Sequence, residues 1–308
     1  MSRRSFYDRP NMLQKPTETT TQSLIYPYQR AAYDRLCAIA NAFIRTDFSG
    51  LPVNPRGNVF IVGPSGTGKT HLAKVVANSL GLAYLPISVA EWIVMGANQR
   101  SAPSTWPTIY QFMQQLSGKV GGIIYLDEVD KIGSLKSQGE WIRYQTTEMF
   151  FLLDRKFPKN LNDLDGDRLT EEQIAAAEDT LKNKTLVLAG GAFQEIWDSR
   201  SIGFVEPETD AQPPDLNLLA QYIPTELSRR FGSQLVFLPR LQQADYHDML
   251  THILPSLPKG WRGRYKLLAH DGIPEATRLG QGPRYFEELL LEVAIHDHLS
   301  VGVGTSPE

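Results

Sequence analysis

Short apolar runs alternate with longer amphipathic stretches along most of the chain. Val59–Val62, Leu82–Val89, Gly122–Leu126, Thr185–Ala189 and Leu235–Leu238 lack helical spacing and read as strands. GIIYL (from Gly122) and TLVLA (from Thr185) are apolar throughout, as strands of a parallel sheet covered on both faces are. Helical patterns separate them. Tyr28–Arg45 places Ala32, Leu36, Ile39, Ala40 and Phe43 on one face, and the stretch after Thr70 does the same with Leu72, Val75, Val76 and Leu80. Ile109–Leu116 and Trp141–Leu153 are helical, Glu91–Thr108 is irregular, and Thr170-Glu171-Glu172-Gln173 is a capping box opening a helix to about Lys182. Ser199–Asp215 reads as a long loop, and Leu216–Arg230 contains helix. After Leu241 the strands stop. Helical patterns remain at Gln242–Ile253, in a short piece near Ile273–Leu279, and at Arg284–Leu299. This order predicts an α/β fold: a parallel-sheet domain over 21–240, a small helical lid over 241–300, and mobile tails at 1–20 and 301–308.

The most informative stretch is Asn58–Leu80. An apolar run leads into G-x-x-x-x-G-K-T, written as Gly63, Pro64, Ser65, Gly66, Thr67, Gly68, Lys69 and Thr70, and a helical pattern follows. Glycines let the backbone wrap an anion and aim N–H groups at it, and the new helix adds its positive end. Lys69 suits the β- and γ-phosphates, and the Thr70 hydroxyl suits Mg²⁺. Such a loop needs a metal-holding acid. Asp127, closing the strand GIIYL, supplies it, and Glu128 stands where a base for an attacking water belongs. The blander readings are a ligand-free glycine turn and a pair of acids that only cap a helix.

Composition narrows the class. Hydrophobic residues make up 42% of the 308 and charged residues 21%, as in ordinary globular proteins. A net charge of -3 does not mark a nucleic-acid binder. Cys37, the single cysteine, excludes an intramolecular disulfide and a cysteine zinc cluster. No apolar run approaches membrane-spanning length and no apolar leader opens the chain, so a cytoplasmic location is expected. DLDGD, from Asp163, has too few ligands for a calcium loop, and the six histidines lack metal-pair spacing.

The apolar strand ending in Asp-Glu, downstream of GPSGTGKT, resembles the AAA+ ATPases. Further segments narrow this to the ClpX-like (Clp/HslU unfoldase) branch. GGAF (Gly190–Phe193) is similar to the segment after that branch's fourth strand. IPTELSRRF (Ile223–Phe231) is similar to its arginine-finger box, and GPRYFEELL (from Gly282) to its sensor-2 helix. LIYPYQRA, from Leu24, resembles the upstream segment whose apolar residues hold adenine, here Ile25 and Tyr26, although Pro27 replaces the usual glycine.

The resemblance implies ATP and Mg²⁺ as cofactors, with Arg284 reading nucleotide state. It implies that Arg230, with Arg229 as its neighbour, enters the next subunit's site. The expected assembly is then a homo-oligomeric ring, most often a hexamer, acting on a protein client. Ile202-Gly203-Phe204 matches the tripeptide that ClpX uses to dock on the peptidase ClpP. The aromatic–hydrophobic–Gly pore loop of the branch aligns poorly with EWIVMGANQRSAPSTW, where Trp92 and Val94-Met95-Gly96 come nearest. An ATP-hydrolysing motor that remodels or unfolds protein is the reading. The alternatives are a nucleotide-gated regulator that oligomerises on DNA, which the acidic balance and GGAF weigh against, and a binding platform with little turnover.

Overall fold

The computed structural model describes residues 25–48, 50–95, 104–134, 140–162, 166–199, 214, 216–231 and 234–302. Among them, β1 (Asn58–Val62), β2 (Ala83–Ser88), β3 (Gly122–Asp127), β4 (Thr185–Gly191) and β5 (Leu235–Phe237) form one parallel sheet, ordered β2-β3-β4-β1-β5. The helices of the sheet region are α1 (Arg30–Arg45), α2 (Lys69–Leu80), α3 (Thr105–Gln115), α4 (Lys131–Ser134), α5 (Glu140–Leu153), α6 (Glu171–Asn183), α7 (Gln194–Ser199), α8 (Leu216–Leu219) and α9 (Thr225–Phe231). They are followed by α10 (Gln243–Ile253), α11 (Lys259–Leu279) and α12 (Pro283–Gly302).

Alternation along each strand splits the interior into two layers. Phe60, Val62, Ile124, Leu126, Val187 and Ala189 join the core covered by α3, α5, α6 and α9. Val59, Ile61, Ile123, Tyr125, Leu186 and Leu188 join the core covered by α1 and α2. Both faces are therefore dry, which is why these strands carry no polar alternation. Pro86 is tolerated in β2 because that strand is an edge, where a missing N–H costs no ladder bond.

A third core belongs to α10, α11 and α12. Tyr246, Met249, Leu250, Tyr265, Ile273, Phe286 and Leu289 fill it, and Tyr26 and Tyr28 pack against it. Here the structure departs from the sequence reading. α11 is one continuous helix over Lys259–Leu279, not a short piece near Ile273. Gly260, Gly263, Gly272 and Pro274 hid it, since each is a poor helix residue. Burial of Tyr265, Ala269, Ile273 and Ala276 on one face overrides that local cost. α3 starts at Thr105, earlier than expected, because Pro107 falls in the first turn, where its missing N–H has no helical partner to lose. Pro224 separates α8 from α9, and α7 was not anticipated. Among the described residues, no helix is long and apolar enough to cross a membrane.

The turn between α11 and α12 touches the glycine loop after β1. Gly280 and Gly282 have φ of 64° and 62°, in the left-handed region. The Gly282 N–H donates to the Tyr246 hydroxyl (2.7 Å), which donates in turn to the Ala276 carbonyl (3.0 Å). A Cβ on Gly282 would sit 1.9 Å from the Gly66 carbonyl oxygen, whereas one on Gly280 would meet nothing within 4 Å. Alanine at the two positions should therefore differ. Gly280→Ala should cost only the left-handed penalty, about 1–2 kcal/mol. Gly282→Ala should cost a further ~1–3 kcal/mol from overlap with the loop. Urea denaturation of both variants checks this, and equal losses would mean the turn is not held against the loop.

Candidate functional site

Parallel strands place their C-terminal tips together, and that edge is where α/β sheets bind ligands. The chain passes from β1 through α2 to β2, skipping two positions, so β4 lies between β1 and β3. The Gly63–Thr70 loop leaves β1, Asp127 closes β3, and Gly190 and Gly191 close β4.

The loop is shaped from both sides. Gly66 and Gly68 have φ of 80° and 79°, and a Cβ on Gly68 would lie 2.6 Å from the Gln29 amide nitrogen. Thr67 is buried. Its hydroxyl donates to the Pro64 carbonyl (2.9 Å), and its own carbonyl accepts from Gln29 Nε2 and the Tyr28 hydroxyl, both at 3.1 Å. The loop curls over Lys69, whose Nζ donates to the carbonyls of Gly63 (2.7 Å) and Pro64 (3.0 Å). Burial pulls the Lys69 ammonium down to about 8. The carboxylates of Asp130 and Asp127 oppose that fall, and the Arg284 cation adds to it.

Across β4 the Thr70 hydroxyl donates to Asp127 Oδ2 at 2.7 Å. Asp127 Oδ1 accepts from the Tyr125 hydroxyl (3.2 Å) and from the Glu128 N–H (3.0 Å). Tyr125 is fully buried. Desolvation raises its pKa, with the Asp127 charge adding to the rise, so the phenol remains a donor. A Cβ on Gly190 would lie 2.0 Å from the Tyr125 hydroxyl oxygen, and one on Gly191 would lie 2.3 Å from the Phe193 ring. GGAF thus has a local cause: the first glycine clears Tyr125 and the second clears Phe193.

Glu128 has a φ of 59°, rare for a side-chain-bearing residue and costing about 1–2 kcal/mol. The turn is held by Val129 N–H to the Gly190 carbonyl (3.0 Å) and Lys131 N–H to the Glu128 carbonyl (3.0 Å). Strain of this kind persists where surrounding contacts over-determine it. It leaves the Glu128 carboxylate exposed at the wall of a cavity of about 470 Å³.

That cavity gathers most of the expected residues. Ser65, Gly66, Gly68, Lys69 and Thr70 line one wall, Asp127 and Glu128 another, and Tyr26 and Arg284 come from the upstream segment and α12. Gly63, Pro64 and Thr67 build the loop from behind. Ile25, expected beside Tyr26, is half-buried and does not line the cavity. Arg230 is also absent from the lining. Its guanidinium pairs with Asp154, and Arg229 beside it is exposed. Trp92 is core: it is 2% exposed, and its indole N–H donates to Glu148 at 2.9 Å. Ile202, Gly203, Phe204 and Gly96 lie outside the described residues. His71, which is exposed, also lines the cavity.

Sequence reasoning missed Tyr28, Gln29, Tyr125 and Gln194, the last of which lines the cavity. Tyr125 was findable, because it stands two residues before Asp127 and so shares its side of the strand. Tyr28 and Gln29 act only through a fold that returns them to Thr67. Among the described residues, no group of three or more His, Cys, Asp or Glu could hold a metal. A cation here would depend on the oxygens of Thr70 and Asp127 together with oxygens of a bound ligand. Such a sparse oxygen set suits Mg²⁺.

Residues 59–189 match the model of the ATPase family associated with various cellular activities (AAA). The ATP-dependent Clp protease ATP-binding subunit ClpX 3 of Methylococcus capsulatus is 28% identical over 244 residues, 71% of this chain and 54% of that protein. The ATP-dependent Clp protease ATP-binding subunit ClpX of Azotobacter vinelandii is 29% identical over 242 residues, 71% of this chain and 53% of that protein. The ATP-dependent zinc metalloprotease FtsH of Rhodothermus marinus is 36% identical over 85 residues, 28% of this chain and 11% of that protein. The chain spans about half the length of the ClpX relatives it matches. Residues 59–189 thus match the AAA ATPase family, and across 71% of its length the chain is similar to the ATP-binding subunit ClpX, in keeping with its parallel sheet and its glycine loop.

Proposed function

We propose that this chain binds ATP with Mg²⁺ in the cavity between its sheet and its C-terminal helices, hydrolyses it, and uses the cycle to remodel or unfold a protein client. One observation carries the reading: Thr70 and Asp127 meet at 2.7 Å beside a half-buried Lys69, at the mouth of a glycine loop. The backbone of Gly63–Thr70 cradles the phosphates, and Lys69 pairs with the β- and γ-phosphates. Thr70 and Asp127 hold the cation, with Tyr125 fixing the Asp127 carboxylate. Bound Mg²⁺ would supply charge neutralisation on the phosphate oxygens. Glu128 orients and deprotonates the attacking water, and its strained backbone aims it into the cavity. Residues 21–240 act as the large domain and 241–300 as the lid, with Arg284 carrying nucleotide state between them.

Arg230 lies outside its own chain's cavity, which supports its delivery to a neighbour in a homo-oligomeric ring, a hexamer on family resemblance. The relatives' names, protease subunit and metalloprotease, support a protein client. A peptidase ring, docked through Ile202, Gly203 and Phe204, is the partner this reading favours.

Glu128→Gln should bind ATP within about threefold of the unaltered chain and hydrolyse it about 100-fold or more slowly, because the cation ligands survive and only the base is lost. Lys69→Ala should weaken binding instead. Nucleotide titration beside a phosphate-release assay separates the two, and unaltered turnover in the Gln variant would remove Glu128 from its role.

Arg230→Ala should bind nucleotide and lose turnover. Mixed with Lys69→Ala protein in demonstrably mixed oligomers, it should regain some, since an intact site can meet an intact finger. No recovery would count against action in trans.

The lysine also sets a pH dependence. Its pKa is about 8 without ligand, and bound phosphates raise it. Binding therefore takes up a proton at alkaline pH, and affinity should fall as pH climbs from about 8 to 9.5, by at most ~tenfold per unit. Titration with a non-hydrolysable analogue tests this. Lys69→Arg should flatten the slope, and a flat profile in the unaltered chain would refute it.

A further inference from the structure

Arg230 is fastened from several sides, although it does not line the cavity. Its side chain keeps 24% of its surface. Nε donates to Asp154 Oδ2 at 3.0 Å, and one amino group donates to the Glu226 carbonyl at 2.8 Å. The guanidinium carbon stands 3.9 Å from the centre of the Phe150 ring, a close cation–π contact. The backbone is tied as well. Asn58 Nδ2 donates to the Arg230 carbonyl at 2.8 Å and to the Leu153 carbonyl at 3.0 Å. Asn58 is buried, and its amide oxygen accepts from Arg155 at 2.7 Å. Arg155 in turn donates to the carbonyls of Leu181 and Thr185. The root of β1, the end of α5 and the last turn of α9 thus form one polar weld.

A simple surface ion pair between α9 and α5 would hold helices together and do little else, because half-exposed pairs contribute little. This arrangement does more. It uses Nε and one amino group, and the second amino group makes no hydrogen bond to a described residue. A long, mobile side chain is held in one rotamer with one amino group left over. That is the requirement for a cation that must meet a phosphate on another molecule without losing further rotational freedom.

We propose that Asp154, backed by Phe150, is the positioning residue for Arg230, presenting its remaining amino group to the nucleotide of the adjacent subunit. The inference rests on Arg230 acting in trans, as proposed above, and adds the residues that make the action possible. Asp154 does not line its own chain's cavity. It acts only through the arginine.

The test is made on the full chain assembled with ATP and Mg²⁺. Asp154→Asn keeps the shape and removes the charge. It should lower kcat roughly tenfold, the size of one charge-assisted hydrogen bond, and leave KM and nucleotide affinity unchanged. Asp154→Asn with Arg230→Ala should be no slower than Arg230→Ala alone. Mixing Asp154→Asn with Lys69→Ala protein should recover turnover, because the second chain brings a positioned finger to the first chain's intact site. Phe150→Leu should show a smaller loss that the same mixing recovers, and Asp154→Glu should keep more turnover than Asn. Full turnover in Asp154→Asn, beside a dead Arg230→Ala, overturns this proposal alone. Loss of turnover that mixing does not recover, with a lowered Tm, makes Asp154 a purely structural residue and also overturns it. Full turnover in Arg230→Ala removes the finger itself, and this proposal with it.

Discussion

The site depends on one contact made across a strand. The Thr70 hydroxyl and the Asp127 carboxylate are 57 residues apart in sequence and meet at 2.7 Å. They belong to elements leaving β1 and β3, and β4 runs between those strands. Neighbouring strands are roughly 4.8 Å apart, so the two side chains must close a gap of about two strand spacings above the tip of β4. That is possible only if β4 presents almost nothing there. Gly190 meets the condition, and the space it leaves is taken by the Tyr125 hydroxyl, which then holds Asp127. Glycine, tyrosine, threonine and aspartate on three elements answer one steric demand.

A second dependence joins the core of α10–α12 to the loop. Tyr26 and Tyr28 pack against the helical core of α10–α12, while Tyr28 and Gln29 hold the Thr67 carbonyl. From the other side, Gly282 lies against Gly66 with no room for a side chain. The loop is therefore clamped by the upstream segment and by the turn before α12. A ligand seated against Gly66, Lys69 and Arg284 touches both bodies at once, so its charge bears directly on how they are held together. Burial already makes Lys69 sensitive to that charge.

Buried polar groups do the remaining fastening. Among the described residues, Arg155 has no carboxylate partner. Burial, helped slightly by the nearby Arg56 charge, draws its pKa down to about 9. Carbonyls of Leu181 and Thr185 and the Asn58 amide satisfy most of its donors. Glu148 accepts from the Trp92 indole and the Met95 N–H, and desolvation raises its pKa. Glu148 thereby ties the irregular stretch holding Trp92 and Met95 to the core, while Arg155 ties the end of α6 to the roots of β4 and β1. In a low-dielectric interior such groups cost free energy unless their partners are in place, which makes the local geometry stringent.

The sequence by itself determined the parallel sheet, the phosphate-binding type of loop and the acid pair. Those features rest on local order: unbroken apolar runs for strands buried on two faces, and glycines at fixed spacing where the backbone must turn. It also carried Tyr26 and Arg284 through likeness of segments. It did not carry α11 past its glycines and proline, because a buried face formed with α10 and α12 outweighs their weak helix propensity. It placed Ile25 beside the cavity when only Tyr26 lines it. Only tertiary structure decided that Tyr125 supports Asp127, that Gln29 and Tyr28 brace Thr67, that Trp92 is packed away, and that Arg230 is fastened by Asp154. Each of these is a contact between segments far apart in the chain, and its energy exists only once the sheet order has brought them within a few ångströms of each other.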